Sequence, residues 1–267
     1  MAVDHATASL GLSIRKACFL VDMSRAVYRY KSWRPDDIVL RQRMRELAAQ
    51  RKRFGSPRLH ILLKRQGLVV NHKRTERIYR EEGLALRKKR RRKGAAGATI
   101  TLAVPNKPNQ HWSMDFVTDS LVTGRRFRAL AIVDNYSREC PAIEVDTSLG
   151  GRRVVGIFDR LGEMRGLPEV ITVDNGPEFA GKALDEWAYR RGIQLSFMHP
   201  GKPIENAFAE SFNGRLRDEC LNTNWFLHFK LARDIIEDWR KDYNTVRPHS
   251  SLGGLAPEEF RVKVGNF

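Results

Sequence analysis

The spacing of apolar positions divides the chain into two kinds of sequence. Before residue 105 the apolar residues recur at helical intervals; from Gln110 the period shortens to two. In the first region, Leu10 to Leu20 predicts a short helix with Leu12, Ala17, Phe19 and Leu20 among its apolar positions, broken by Asp22-Met23. Ser24 is placed to cap a second short helix ending at Tyr30. The pair fits a helix-turn-helix and an ordinary helical hairpin equally well. A longer helix follows from Asp37 to Arg53, with Leu40, Met44, Leu47 and Ala48 at helical spacing. Ser56, as an N-cap before Pro57, opens the next helix, which carries Leu59, Leu62 and Leu63 and stops at Gly67. His72 to Glu82 is a third helix, with Ile78 turned inward and Gly83 as its C-cap.

From Gln110 onward, Trp112, Met114 and Phe116 share one face of a strand and Ser113, Asp115 and Val117 share the other. Phe127–Val133 and Ala142–Val145 follow after short turns at Gly124 and Asp134-Asn135, which predicts an antiparallel meander. Then come a helix (Arg152–Met164), a strand (Val170–Val173), a helix (Phe179–Arg191), a strand (Gln194–Met198) and a helix around Glu210. The order βββαβαβα predicts an α/β fold with a mixed sheet flanked by helices, the ribonuclease-H-like arrangement. Leu231 to Tyr243 is amphipathic, and Arg247 to Phe260 reads as a tail that wraps the domain, serving packing rather than chemistry, with a substrate contact at His249 left open but not required. The expected organisation is an all-α helix-turn-helix module over residues 1–86, a linker over 87–109 and the α/β domain over 110–267.

Charge sharpens this division. The net charge is +17, and it is not evenly spread: residues 1–100 hold 26 Lys and Arg against 8 Asp and Glu, whereas residues 101–267 hold 22 against 23. A one-sided basic module points to a polyanionic partner. The helix from His72 carries Lys73, Arg74, Arg77 and Arg80, which suits a recognition helix on double-stranded DNA. Arg87 to Lys93 is an unbroken basic run, Lys88, Lys89 and Arg90 among it, followed by Gly94-Ala95-Ala96-Gly97 and a proline-stiffened stretch; such a linker attracts phosphates without reading sequence. Three cysteines form no CxxC pair and the histidines lack zinc-finger spacing, which argues against a zinc site or a disulfide framework. No apolar run reaches the length of a membrane span and no secretory signal opens the chain, so the expected place is the reducing cytoplasm.

Three carboxylates are the candidate chemistry. Asp115 is embedded in an apolar strand, where an unpaired charge is costly. Asp174 ends the run Val170-Ile171-Thr172-Val173 at an Asn-Gly-Pro turn, and Glu210 follows after 35 intervening residues on a helix. That helix has a polar stripe of Asn206, Glu210, Asn213 and Arg217, with Phe208, Phe212 and Leu216 expected to face the core. Carboxylate, amide and guanidinium on one stripe fit a metal ligand flanked by phosphate-binding groups, with Lys202 in the preceding loop also within reach of DNA. Three acids in one cleft would raise one another's pKa unless a cation joined them. Two Mg2+ or Mn2+ ions, roughly 3.5–4 Å apart, would clamp the attacking and leaving oxygens of a phosphodiester.

Several fragments together resemble a known family: Phe54-Gly55 with Arg58-Leu59-His60, Asn71-His72-Lys73-Arg74, Trp112-Ser113-Met114-Asp115-Phe116, Asp174-Asn175-Gly176-Pro177-Glu178-Phe179, Pro200-Gly201-Lys202-Pro203, Asn206-Ala207 with Glu210-Ser211-Phe212-Asn213-Gly214, and Arg247-Pro248-His249-Ser250-Ser251-Leu252-Gly253. In this order they resemble the second-frame transposases of the insertion-sequence-three family, which are related in fold to retroviral integrases. The resemblance implies a catalytic triad at Asp115, Asp174 and Glu210. It also implies DNA integration and recombination by strand cleavage and strand transfer, with element ends and target DNA as partners. A homo-oligomer on DNA, an upstream-frame protein as a further partner and a circular DNA intermediate follow from the same resemblance. Glu205 stands where the family has an aspartate and Gly254 where it has an aromatic residue, and the His/Cys zinc module of retroviral integrases is missing.

Overall fold

The computed structural model describes residues 2–31, 37–86, 105–174, 176, 181–198 and 206–265. The chain forms two compact units, Met1–Val39 and Leu40–Phe267. The smaller holds α1 (Ala2–Leu10), α2 (Ile14–Leu20) and α3 (Arg25–Arg29) around Val3, Ala6, Ala17 and Cys18. The helix expected over Leu10–Leu20 therefore starts later, and α1 was not anticipated. The cause is local: Gly11 adopts φ 60° and ends α1, and the Ser13 hydroxyl accepts the Lys16 N–H to begin α2. Ser24 caps α3 as expected, accepting the Val27 N–H.

In the larger unit, α4 (Ile38–Gln50), α5 (Ser56–Arg65) and α6 (His72–Glu81) pack around Leu40, Met44, Leu47, Leu59, Leu63 and Ile78. Gly55, not Ser56, is the N-cap of α5. The strands are β1 (His111–Ser120), β2 (Arg126–Asp134), β3 (Ala142–Asp146), β4 (Val170–Val173) and β5 (Gln194–Phe197). Among the described residues they form one sheet in the order β3-β2-β1-β4-β5, antiparallel within β1–β3 and parallel from β1 through β4 to β5. The helices are α7 (Gly151–Arg165), α8 (Lys182–Arg191), α9 (Ala207–Glu219), α10 (Phe229–Thr245) and α11 (Pro257–Val264).

Each face of the sheet has its own core. Trp112, Met114, Leu130 and Ile132 pack with Phe158 of α7 and Trp187 of α8; Val117, Ala129, Ala131 and Val133 pack with Phe212 and Leu216 of α9 and Ile236 and Tyr243 of α10. The period-two alternation in β1 thus assigns Asp115 to the face beneath α9. At about 25 cal/mol per Å2 of apolar surface removed from water, these two layers supply the main driving force for the unit.

The expected boundary at residue 86 does not separate compact units. Helices α4–α6 belong with the sheet because side chains tie them to α9, α10 and α11. Arg58 pairs with Glu219 (3.0 Å), Arg65 with Glu259 (2.6 Å) and Arg51 with Asp242, while Val246 packs against the α4–α6 core. Lys88, Lys89 and Arg90 of the linker and Lys202 lie outside the described residues.

Candidate active site

Two neighbouring strands deliver two of the three carboxylates to the same level. The parallel register pairs Ser113 of β1 with Thr172 of β4. Asp115 and Asp174 each follow two residues beyond that pair, on strands spaced by about 4.8 Å. Asp115 is half-buried, and its Oδ1 accepts the Phe116 N–H at 2.8 Å. Asp174 is half-buried just past the strand end, where its Oδ1 accepts the Gly176 N–H at 3.1 Å, a local turn bond.

The third carboxylate arrives on α9, which three side chains fasten to β1. Asn206 Nδ2 donates to the Met114 carbonyl (3.2 Å), Asn213 Nδ2 to Asp115 Oδ2 (2.9 Å) and Arg217 Nη2 to the Thr118 carbonyl (3.0 Å). These residues and Glu210 are the polar stripe expected from the sequence; Asn206 and Asn213 are buried against β1, while Glu210 and Arg217 are exposed. Asn213, expected as a phosphate contact, is buried and donates its amide N–H to Asp115. Arg217 remains exposed with one N–H on the strand carbonyl. Glu210 is exposed. Phe208, expected in the core, is half-buried at the rim, where the Arg138 guanidinium lies 4.1 Å from its ring centre.

The electrostatics of Asp115 are dominated by its burial. Burial holds its pKa above the usual carboxylate value, and the charges of Asp174 and Glu210 add to the rise; the Phe116 N–H and the Asn213 amide oppose it. The carboxyl thus sits in a field of like charge with amide donors as its hydrogen-bond partners. The donor set, three carboxylates and an amide carbonyl (Asn213 Oδ1, buried without a partner), is all hard oxygen and suits Mg2+ or Mn2+. Among the described residues, however, no three His, Cys, Asp or Glu side chains stand close enough to hold one ion.

Other acids resolve into structure. Asp134, read from sequence as a turn residue, is fully buried and accepts four N–H groups, from Asn109, Trp112 Nε1, Tyr136 and Ser137. Glu219 at the end of α9 receives both Nε and Nη2 of Arg247 at 2.7 Å as well as Arg58. Sequence gave no signal for this triad, since its members come from three distant segments. His249 is buried against the Tyr243 ring and Arg247.

The basic residues of α6 are divided. Lys73 and Arg80 are exposed; Arg74 and Arg77 are half-buried. Arg77 pairs with Glu81 (2.9 Å), while Arg41 of α4 engages Glu81 and Glu82. No helix among the described residues is long and apolar enough to cross a membrane.

Comparison with known proteins places these features in a common frame. Integrase core domain families match residues 105–203 and 191–257, and an HTH-like domain family matches residues 35–93. The chain is 48% identical over 256 residues to the insertion element IS407 uncharacterized 31.7 kDa protein of Burkholderia multivorans, covering 95% of this chain and 92% of that one. It is 25% identical over 273 residues to transposase InsF for insertion sequence IS3A of Escherichia coli, covering 94% of each. Among solved structures, a chain of the simian T-cell lymphotropic virus intasome, determined with PP2A regulatory subunit B56 gamma, matches 82% of this chain and 74% of its own length. Its TM-score is 0.53 at 15% identity, a likeness of fold.

Proposed function

The chain belongs to the insertion-sequence-three family of transposases, with an integrase core and an HTH-like domain, and on that footing we propose that it cuts and joins DNA at Asp115, Asp174 and Glu210. The observation that carries the reading is Asp115: a half-buried carboxylate in an apolar strand, raised in pKa by burial and by two other acids, with only amide donors to offset it. One or two divalent cations, magnesium or manganese, would lower the pKa of a water or a DNA hydroxyl and neutralise charge on the phosphate.

The chain's own residues set the geometry. Asp115 is oriented by Asn213, so that its outer oxygen keeps one lone pair for a ligand. Asp174 sits across from it on the adjacent strand. Glu210 lies one helical turn before Asn213, which links its position to the same bond. Closure of Glu210 and Asp174 on Asp115 would accompany binding of cation and DNA. Hydrolysis would free a 3′-hydroxyl, and a second in-line displacement would join that end to target DNA without a covalent protein intermediate. Lys73, Arg74, Arg77 and Arg80 of α6, together with the basic stretch containing Lys88, Lys89 and Arg90, and with Lys202 and Arg217 nearer the triad, would hold the duplex. Assembly of two or more copies on the element ends is part of the proposal, as is cooperation with an upstream-frame protein.

The test is a magnesium-dependent nicking and strand-transfer assay on DNA carrying the flanking terminal repeats, with and without the upstream segment. Asp174→Asn should abolish both steps. Cutting without joining would reduce the protein to a nuclease, and activity unchanged by Asp174→Asn would leave it a DNA-binding regulator.

A further inference from the structure

On the flank of α9 turned away from the triad lies a cleft of about 340 Å3 whose lining includes Arg138, Phe208, Ser211, Arg215, His249 and Ser251. No carboxylate lines it. Among the described residues neither Arg138 nor Arg215 has an acidic partner, in contrast to Arg247 just behind, which is spent on Glu219. Arg138 is set in place twice over. Its backbone adopts φ 63°, a left-handed conformation unusual for a side chain of this size, and its guanidinium rests on the Phe208 ring at 4.1 Å.

His249 adds a donor of fixed sense. Arg247 can only donate, so the contact of its Nη1 with His249 Nε2 at 3.2 Å makes Nε2 the acceptor and puts the ring proton on Nδ1. Burial, and then the charges of Arg247, Arg58, Arg215 and Arg138, push the imidazole down to about 3, so the ring stays neutral at physiological pH. Two guanidiniums without an ion pair among the described residues, a neutral imidazole and serine hydroxyls, in a lining that holds no carboxylate, form an oxyanion receptor; the charge of Asp134, which reaches Arg138, is already met by four N–H groups. Its volume falls in the usual range for small-ligand pockets, roughly 300–1,000 Å3, and exceeds the needs of a lone phosphate.

We propose that this cleft is a second strand-binding site, which takes a backbone phosphate and its nucleotide from a DNA strand whose neighbouring portion lies at the triad. The two sites flank one helix, about 10 Å across. That the strand is DNA rests on the proposed function; that the cleft takes a phosphate-bearing group does not.

The test uses the full chain with Asp174→Asn, so that chemistry does not consume the probe. Ser251 is exposed and Cys18, Cys140 and Cys220 are all buried, so Ser251→Cys supplies a single accessible thiol among the described residues. A single-stranded oligodeoxynucleotide carrying a 2-pyridyl disulfide tethered to one backbone phosphate should exchange with that thiol, the cysteine sulfur bonding to the tether sulfur and pyridine-2-thione leaving. Adding Arg138→Gln with Arg215→Gln should lower the yield at least tenfold and reduce the salt slope of binding by roughly 0.7 per lost contact. Arg215→Gln alone, at an exposed position that leaves packing intact, should lower the yield about threefold. A yield indifferent to both arginine replacements would overturn the proposal, as would competition by inorganic phosphate as effective as by an untagged strand. Failure of the triad reading shows elsewhere, as DNA cleavage that survives Asp174→Asn.

Discussion

At the C-terminal end of α9, Glu219 is buried between the guanidinium groups of Arg247 and Arg58. Near the other end of the same helix, Glu210 is exposed and has no ion pair among the described residues, while its charge raises the pKa of Asp115. The neighbouring strands repeat the contrast. Asp134 of β2 has both oxygens filled by N–H groups, whereas Asp115 of β1 is held by two and faces two more acids. A carboxylate whose field is cancelled in place contributes to the fold. One left among like charges costs stability and is free to accept a cation. Both kinds of acid sit on one helix, about two and a half turns apart, so the pairing of Glu219 fastens the helix that carries Glu210.

Several substitutions would break or sharpen that contrast. The largest effect is expected at the exposed end: Glu210→Gln should slow DNA cleavage about a thousandfold or more, the several kcal/mol a metal ligand supplies, without lowering the thermal midpoint. A rate within tenfold of the parent would remove Glu210 from the triad. Glu219→Gln should act in the opposite sense. It leaves Arg247, only 2% exposed, without its counter-charge, and should cost about 3–5 kcal/mol in urea unfolding. Arg58→Gln, from a partly exposed arginine that burial pushes down to about 10, should cost less, about 1–2 kcal/mol, as Arg247 still holds Glu219.

The buried tail gives a pH signature. His249 has a folded-state pKa of about 3 against 6.5 when unfolded, so acid protonates the unfolded chain first. Stability should fall as pH drops below 6.5 toward 3, and His249→Phe should flatten that limb of a midpoint-against-pH profile. The smallest effect belongs to Asp115. Its raised pKa means a cost that appears as pH rises through the folded value, so Asp115→Asn should raise the midpoint slightly at pH 7, with the gain shrinking in acid. A loss of stability instead would mark Asp115 as a structural acid like Asp134.

Much of the larger unit was legible from periodicity. The alternation around Trp112 assigned Asp115 to the correct face, and the strand over Val170–Val173 is observed with those bounds. The polar stripe on α9 was also read correctly as a stripe, although Asn213 turned out to serve Asp115. Local chemistry set helix starts that apolar spacing could not: Gly11 and Ser13 divide what looked like one helix into α1 and α2. Phe208 shows the limit of the helical wheel, because its place at the core edge depends on Arg138 from the β2–β3 turn.

By itself, then, the sequence determined the order of the strands and helices of the α/β part and the two faces of the sheet, because each follows from spacing within a few residues; the three acids were proposed from their order along the chain and from a family resemblance. The register that sets Asp174 opposite Asp115, the grip of Arg58 and Arg247 on Glu219, and the cationic cleft beside α9 were decided by tertiary structure. Each of these joins residues tens to hundreds of positions apart. Whether a charge is paired or left bare depends on which distant segment folds against it, and no local pattern encodes that.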